Sequence, residues 1–131
     1  MAEERNLSFP PLNDRQRHDL AAALGPKVAL ANPLDYHTYI WRDAPAMTMA
    51  WSALVDPSVA LTLSIVDYPR GDLCDASDWV CATTAAIETH KNTKCPVAVV
   101  ATLPELLPED LSEDLLDAGV IPLHGLAEAM A

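Results

Sequence analysis

Two apolar runs constrain this chain more than any other feature: Val59-Ala60-Leu61-Thr62-Leu63-Ser64-Ile65-Val66 and Cys95-Pro96-Val97-Ala98-Val99-Val100-Ala101. Both are short, nearly continuous and partly β-branched. That is the pattern of strands covered on both faces. Each leads into a polar loop and then into apolar residues at helical spacing. From about residue 28 to the end, strand-like and helix-like stretches alternate. Such alternation predicts a parallel sheet with right-handed crossovers. The expected class is therefore α/β, with a sheet between two helical layers. The 131 residues suggest one domain, residues 1–131.

The punctuation between these runs is local and readable. Residues 2–6 are polar and read as a tail or the last turn of a helix. Leu7-Ser8-Phe9 reads as a short strand closed by Pro10-Pro11. Asn13 and Gln16 form a capping-box pattern, and a helix follows to about Leu24, stopped by Gly25 and Pro26. Val28 to Ala31 reads as another short strand. Tyr36 to Arg42 is loop. Asp43 caps a helix with Pro45 in its first turn, and Met47, Ala50, Trp51, Leu54 and Val55 recur at helical spacing. Asp75 or Ser77 opens a helix to about Lys91, with Trp79, Val80, Thr83, Thr84 and Ile87 expected inside. A helix around Leu111 to Leu116, a strand at Ile121 to Leu123 and a helix from Leu126 to Met130 complete the order.

Charge narrows the partners. Eight Lys plus Arg stand against nineteen Asp plus Glu, for a net charge of −11. Nucleic acids and anionic membranes need a cationic surface, so neither is an expected partner. No apolar run approaches the roughly 18 residues of a membrane span. The acidic start, Met1-Ala2-Glu3-Glu4-Arg5-Asn6, does not read as a signal or transit peptide. Cys74, Cys81 and Cys95 have no metal-ligand spacing and read as reduced, small buried hydrophobes in a cytoplasmic protein.

Chemistry concentrates in two loops that follow strands. The first is Ala31-Asn32-Pro33-Leu34-Asp35-Tyr36-His37. The second is Asp67-Tyr68-Pro69-Arg70-Gly71-Asp72-Leu73-Cys74-Asp75. Ligands of open α/β sheets bind at the carboxyl ends of strands. Asn32 offers a donor and an acceptor. Arg70 can hold a carboxylate or phosphate by two bonds, and amides at a helix N-terminus favour anions. Spacing alone favours plainer roles: Asn32 as a turn residue ahead of Pro33, and Arg70 in a surface ion pair with Asp67 or Asp72. His18 and His90 read as surface residues on helices, and His124 as structural or exposed. His37 is the best placed of the histidines. No nucleophile elbow and no glycine-rich phosphate loop is present. The expected site therefore has no catalytic nucleophile and no metal ligand.

These loops resemble those of a known family. Ala31-Asn32-Pro33-Leu34-Asp35 is similar to the Asn-Pro-(Val/Leu)-Asp signature of NDP-forming acyl-CoA synthetases, relatives of succinyl-CoA synthetase. Tyr68 to Asp75 sits where the succinyl-CoA synthetase β subunit has a Gly-Gly-Ile-x-Arg-Cys-Asp loop. Lys94-Cys95-Pro96-Val97-Ala98-Val99-Val100 resembles the family's Lys-x-Pro-Val-Val-Val strand. Leu116-Asp117-Ala118-Gly119-Val120-Ile121-Pro122-Leu123 resembles its Leu-x-x-Ala-Gly-Ile-Pro-Val run. The resemblance covers nearly the whole chain.

It implies a flavodoxin-like ligase-CoA domain lacking that domain's first strand with its Ser-Gly-Gly turn. It implies a reaction that joins a carboxylic acid to coenzyme A, with ATP cleaved to ADP and phosphate. Asn32, Tyr68, Pro69 and Arg70 match the substrate-contacting positions. Coenzyme A, ATP and Mg would be bound by other parts of a complete enzyme, not by this chain alone. The remaining ligase domains or subunits are the implied partners, and the missing strand implies self-association or low stability of the isolated chain. Two departures stand out. Tyr68 and Pro69 replace two glycines, and Pro69 has no N–H to donate. The family's phosphorylated histidine, in a Ser-His-Thr-Gly setting, matches none of His18, His37, His90 and His124. A non-enzymatic binding or regulatory module on the same fold is the alternative.

Overall fold

The computed structural model describes residues 3–131. The part of the 2–6 reading that falls on Ala2 lies outside the described residues; Glu3–Arg5 form a 3-10 turn. The first long element is α1, Asp14–Leu24. Its capping box is complete. The Gln16 amide donates to the Asn13 side chain at 2.9 Å, and the Asn13 amide donates to Gln16 Oε1 at 2.9 Å. Gly25 closes the helix with φ 70°, in the region where a glycine carries no Cβ penalty. Helix α2, Ala44–Leu54, is capped by Asp43, which accepts from the Ala46 amide at 3.0 Å.

Three strands form one parallel sheet in the order β1-β2-β3. They are β1, Thr62–Ile65; β2, Val97–Ala101; and β3, Ile121–His124. Between them run α3, Val80–Thr93, and α4, Glu109–Asp117, and the short α5, Leu126–Ala129, follows β3. The fold class is α/β, a parallel sheet flanked by helices, consistent with a flavodoxin-like fold. Thr62 pairs with Val97 and Ile65 with Val100; Ala98 pairs with Ile121 and Ala101 with His124.

The two earliest expected strands do not form. Leu7-Ser8-Phe9 and Val28-Ala29-Leu30-Ala31 are irregular and join no sheet. Their sequences favour extended backbone, but a strand exists only when a neighbour supplies its ladder. Leu7 and Phe9 stay 42% and 45% exposed, whereas Val28 is buried by packing alone.

The core explains the remaining departures. All of β2 is buried. Val97, Val99 and Ala101 share one cluster with Met47, Ala50 and Trp51 of α2 and with Cys81, Ala82, Ala85 and Ala86 of α3. Ala98 and Val100 point to the opposite face and are also buried. Helix α3 therefore lies against both α2 and the sheet. It buries a wide arc of small residues, which allows close approach. Val80 and Thr84, expected inside, are exposed. Cys74 is also exposed rather than buried, while Cys81 is buried and Cys95 half-buried. His90 is half-buried rather than on the surface. It bonds the Cys95 carbonyl at 2.9 Å and fills the space beside Gly119.

Helix α1 docks through polar groups as well as Leu20. The last carbonyls of α2 have no intrahelical donors. Gln16 donates to the Leu54 carbonyl and Arg15 to the Val55 carbonyl. Asp56 then gathers four donors: Asn13 at 2.8 Å, Arg15 at 3.2 Å, and the Ser58 amide and hydroxyl at 3.0 and 2.6 Å. The Ser58 bonds, with those from Asn13 and Arg15, hold the Asp56 carboxyl well below the usual carboxylate range. A depressed folded-state value stabilises the fold above the unfolded value, near pH 4, and the contribution is lost as pH falls below it. Urea unfolding of the full chain should show stability declining from about pH 5 downward. In Asp56→Asn that decline should be shallower and stability at neutral pH lower. An unchanged acid profile in the variant would remove this carboxylate as the anchor.

Candidate functional site

The carboxyl ends of β1, β2 and β3 point the same way, so the loops after them share one rim. Asp67, just beyond β1, accepts from the Thr102 amide at 2.7 Å and from its hydroxyl at 2.8 Å. Thr102 follows β2 directly, so this carboxylate clamps two strand ends. It is thereby removed as a partner for Arg70. Above the clamp, the loop from Asn32 to Asp43 meets the segment from Asp67 to Trp79. Arg42 pairs with Asp78. Trp41 and Trp79 meet edge-on, with ring centroids 5.6 Å apart. Tyr36 and Trp51 are 6.2 Å apart. A shallow hollow beside the first loop and the end of β1 is lined by Asp35, Tyr36, His37, Trp41 and Ile65.

Asn32 is half-buried and donates from Nδ2 to the Pro10 carbonyl at 2.9 Å. It ties the first loop to the N-terminal segment rather than closing a turn on itself. The turn role falls to Asp35, which accepts from the His37 amide at 2.8 Å. Tyr68 is only 2% exposed, and its hydroxyl is 2.9 Å from Thr83 Oγ1. Burial pushes the Tyr68 phenol above its ordinary value, and burial with the Cys81 thiol nearby does the same to Tyr36. Both phenols stay neutral through the physiological range. Pro69 is half-buried and Arg70 exposed.

Arg70 closes a fork on Asp72, with Nε to Oδ1 at 3.0 Å and Nη2 to Oδ2 at 2.6 Å. The hydrogen bond and charge raise the Arg70 value and lower that of Asp72. The loop is drawn tight behind it, since the Leu73 and Cys74 amides both donate to the Arg70 carbonyl at 3.0 Å. The helix start that favours anions in the sequence is occupied too. Asp75 accepts from the Ser77 amide at 2.9 Å, ahead of a 3-10 turn, Ser77–Trp79, that leads into α3. Its carboxyl is held low by that bond. The rim thus holds anions of its own. Asp72 sits on Arg70, Asp78 on Arg42 and Asp75 on the helix start.

Of the four positions singled out in the sequence, Tyr68, Pro69 and Arg70 are continuous, and Asn32 stands apart from them. Among the described residues, no hydrogen bond or ion pair joins Asn32 to that trio. Trp41, Trp79 and the Arg42–Asp78 pair, which join the loops, were not anticipated. Their side chains meet across 36 to 38 positions of sequence, and no local signal marks them. His124 lies 3.1 Å from Ser112 Oγ and 3.4 Å from the Pro104 carbonyl, which agrees with a structural role.

A scan against protein-family models matches no family, and a search of curated proteins returns no relative. No helix among the described residues is long and apolar enough to cross a membrane.

The buried hydroxyl pair makes Tyr68 testable as a structural group. Tyr68→Phe leaves Thr83 Oγ1 without its partner and should cost about 1–2 kcal/mol in chemical unfolding. A variant as stable as the parent would show that the pair contributes nothing and would free Tyr68 for another role.

Proposed function

We propose that this chain is a domain of an NDP-forming acyl-CoA synthetase, contributing part of the acyl and phosphate site of a carboxylic acid–CoA ligase. The observation that carries the reading is the order of the motifs along the chain, from Ala31-Asn32-Pro33-Leu34-Asp35 through Arg70 to Gly119-Val120-Ile121-Pro122. Its support in geometry is that the loop of Asn32 and the loop of Arg70 flank one rim, joined by Arg42–Asp78 and Trp41–Trp79.

The net reaction takes a carboxylate, coenzyme A and ATP to the acyl-CoA, ADP and phosphate. This chain's part is recognition. Arg70 exchanges Asp72 for the incoming carboxylate or phosphoryl group, keeping a two-bonded fork. Asn32, from the other loop, offers a neutral donor by exchanging the Pro10 carbonyl for the ligand. Tyr68 supports the loop from below through Thr83. Pro69 donates no amide, so recognition falls on the guanidinium rather than on a paired-amide cradle. Coenzyme A, ATP and Mg belong to other domains or subunits of the complete enzyme, as does the phosphohistidine, and a cytoplasmic location suits those substrates. A non-enzymatic binding module is the second reading. It is favoured by the way each rim guanidinium is already paired with a carboxylate of the chain.

The exchange is measurable without the other domains. Titration of the full chain with acetate and with inorganic phosphate, followed by backbone amide shifts, should perturb the Arg70 loop. Asp72→Asn removes the competing anion and should tighten binding severalfold; Arg70→Ala should abolish it. Asn32→Ala should weaken acetate binding, and because it also frees the Pro10 carbonyl its unfolding is compared with the parent's. If neither anion moves the loop in the parent or in Asp72→Asn, the ligase reading of this rim is wrong and the binding-module reading takes its place.

A further inference from the structure

Thr102 bonds to the segments that leave both neighbouring strands. It follows β2 directly and is half-buried. Its amide and hydroxyl donate to the two carboxylate oxygens of Asp67, just beyond β1, at 2.7 and 2.8 Å. Its carbonyl accepts from the Leu126 amide at 3.2 Å, where α5 begins after β3. The residue after Asp67 is fixed to the same stretch of chain, since the Tyr68 amide donates to the Leu106 carbonyl at 2.9 Å. The loop that carries Arg70 therefore starts from two anchored residues.

The clamp also withholds a carboxylate. Asp67 and Arg70 are three residues apart, so their Cα atoms are separated by at most about 11 Å. An aspartate and an arginine can span that gap with their side chains. Among the described residues, however, the guanidinium closes its fork on Asp72 alone, at 3.0 and 2.6 Å, while both oxygens of Asp67 are engaged by Thr102. The two bonds of the clamp differ in kind. Oδ1 is held by the main chain and Oδ2 by a side-chain hydroxyl, so one substitution at Thr102 releases Oδ2 and leaves Oδ1 in place. A second carboxylate on the guanidinium would compete with an incoming anion for its donors and repel it by charge.

We propose that Thr102 is a positioning residue for Arg70: by engaging both oxygens of Asp67 it keeps a second carboxylate off the guanidinium, so that an incoming anion has one carboxylate to displace. Thr102 acts through Asp67 and needs no contact with the anion. The consequence for anion binding rests on the ligase reading of this rim, whereas the pairing of Arg70 does not.

Two readouts in the full chain separate the pairing from the binding. The first is the NMR titration of the Asp72 carboxyl, which the Arg70 bond and charge hold below its ordinary value. In Thr102→Val the freed Oδ2 of Asp67 shares the guanidinium, and Asp72 should titrate closer to its ordinary value. Thr102→Ala loses the same hydroxyl and should behave alike, whereas Thr102→Ser keeps it and should match the parent. Adding Asp67→Asn to Thr102→Val removes the released charge and should return Asp72 to the parent titration, which a general loosening of the rim would not do. The second readout is titration with acetate and with inorganic phosphate. Thr102→Val should weaken binding by up to about fivefold, the worth of one exposed ion pair, and Asp67→Asn should restore it. Three results would overturn the proposal. In one, Asp72 titrates in Thr102→Val and Thr102→Ala as it does in the parent. In another, its shift persists when Asp67→Asn is added. In the third, an anion that binds the parent binds Thr102→Val equally well. If neither anion binds the parent or Asp72→Asn, the ligase reading falls, and the Asp72 titration still decides the role of Thr102.

Discussion

The structure depends on the burial of β2 with both of its edges satisfied. Every residue from Val97 to Ala101 is buried, and the strand is bonded to β1 on one side and β3 on the other. Backbone groups taken out of water must be paired, so β2 forces two parallel neighbours into register. Its alternating side chains then define two faces. One face receives the small residues of α3, with α2 packed over them, and the strand's direction sends every following loop to one rim. The Asp67–Thr102 clamp sits where β1 and β2 end and fixes the floor on which the candidate loops rest.

The rim is shaped by electrostatics among the chain's own groups. An acidic chain that offers guanidiniums at a strand end fills them with neighbouring carboxylates. Arg70 takes Asp72, Arg42 takes Asp78, and the start of the next helix takes Asp75. These are exposed pairs, individually weak and easily exchanged. A ligand anion there enters by replacement rather than by filling an empty cationic site. A groove beside β1 has the opposite character: it is mostly apolar, with no charged side chain among the described residues that line it. Leu34, Tyr36 and Ile65 line both it and the hollow beside the first loop, so that loop and the open edge of the sheet share a boundary.

Features carried by neighbours in sequence were legible. Asn13, Gln16 and Gly25 delimit α1, and Asp43 with Pro45 opens α2, because caps are settled within a few residues. The apolar runs located β1 and β2, although β1 is shorter than its run. Interactions across long separations were not legible. Nothing near Asn32 indicates that its amide reaches Pro10, and nothing near Arg42 indicates Asp78. The pairing of Arg70 was readable as a choice between two acids. The choice went to Asp72 because Thr102, remote in sequence, claims Asp67. The inner face of α3 was misjudged at Val80 and Thr84 because that helix touches two layers, and a single stripe does not describe such a surface.

The sequence by itself determined the α/β class, the order of its helices and the identity of the loops that follow β1 and β2. These depend on periodicity, capping and turn chemistry, all of which act over a few residues. Only the tertiary structure decided that Leu7 to Phe9 and Val28 to Ala31 join no sheet, that Tyr68 belongs to the core, and that β1 pairs on one edge alone among the described residues. Those outcomes depend on which segment supplies a neighbour's hydrogen bonds and which surfaces meet, and a local pattern of residues does not encode either.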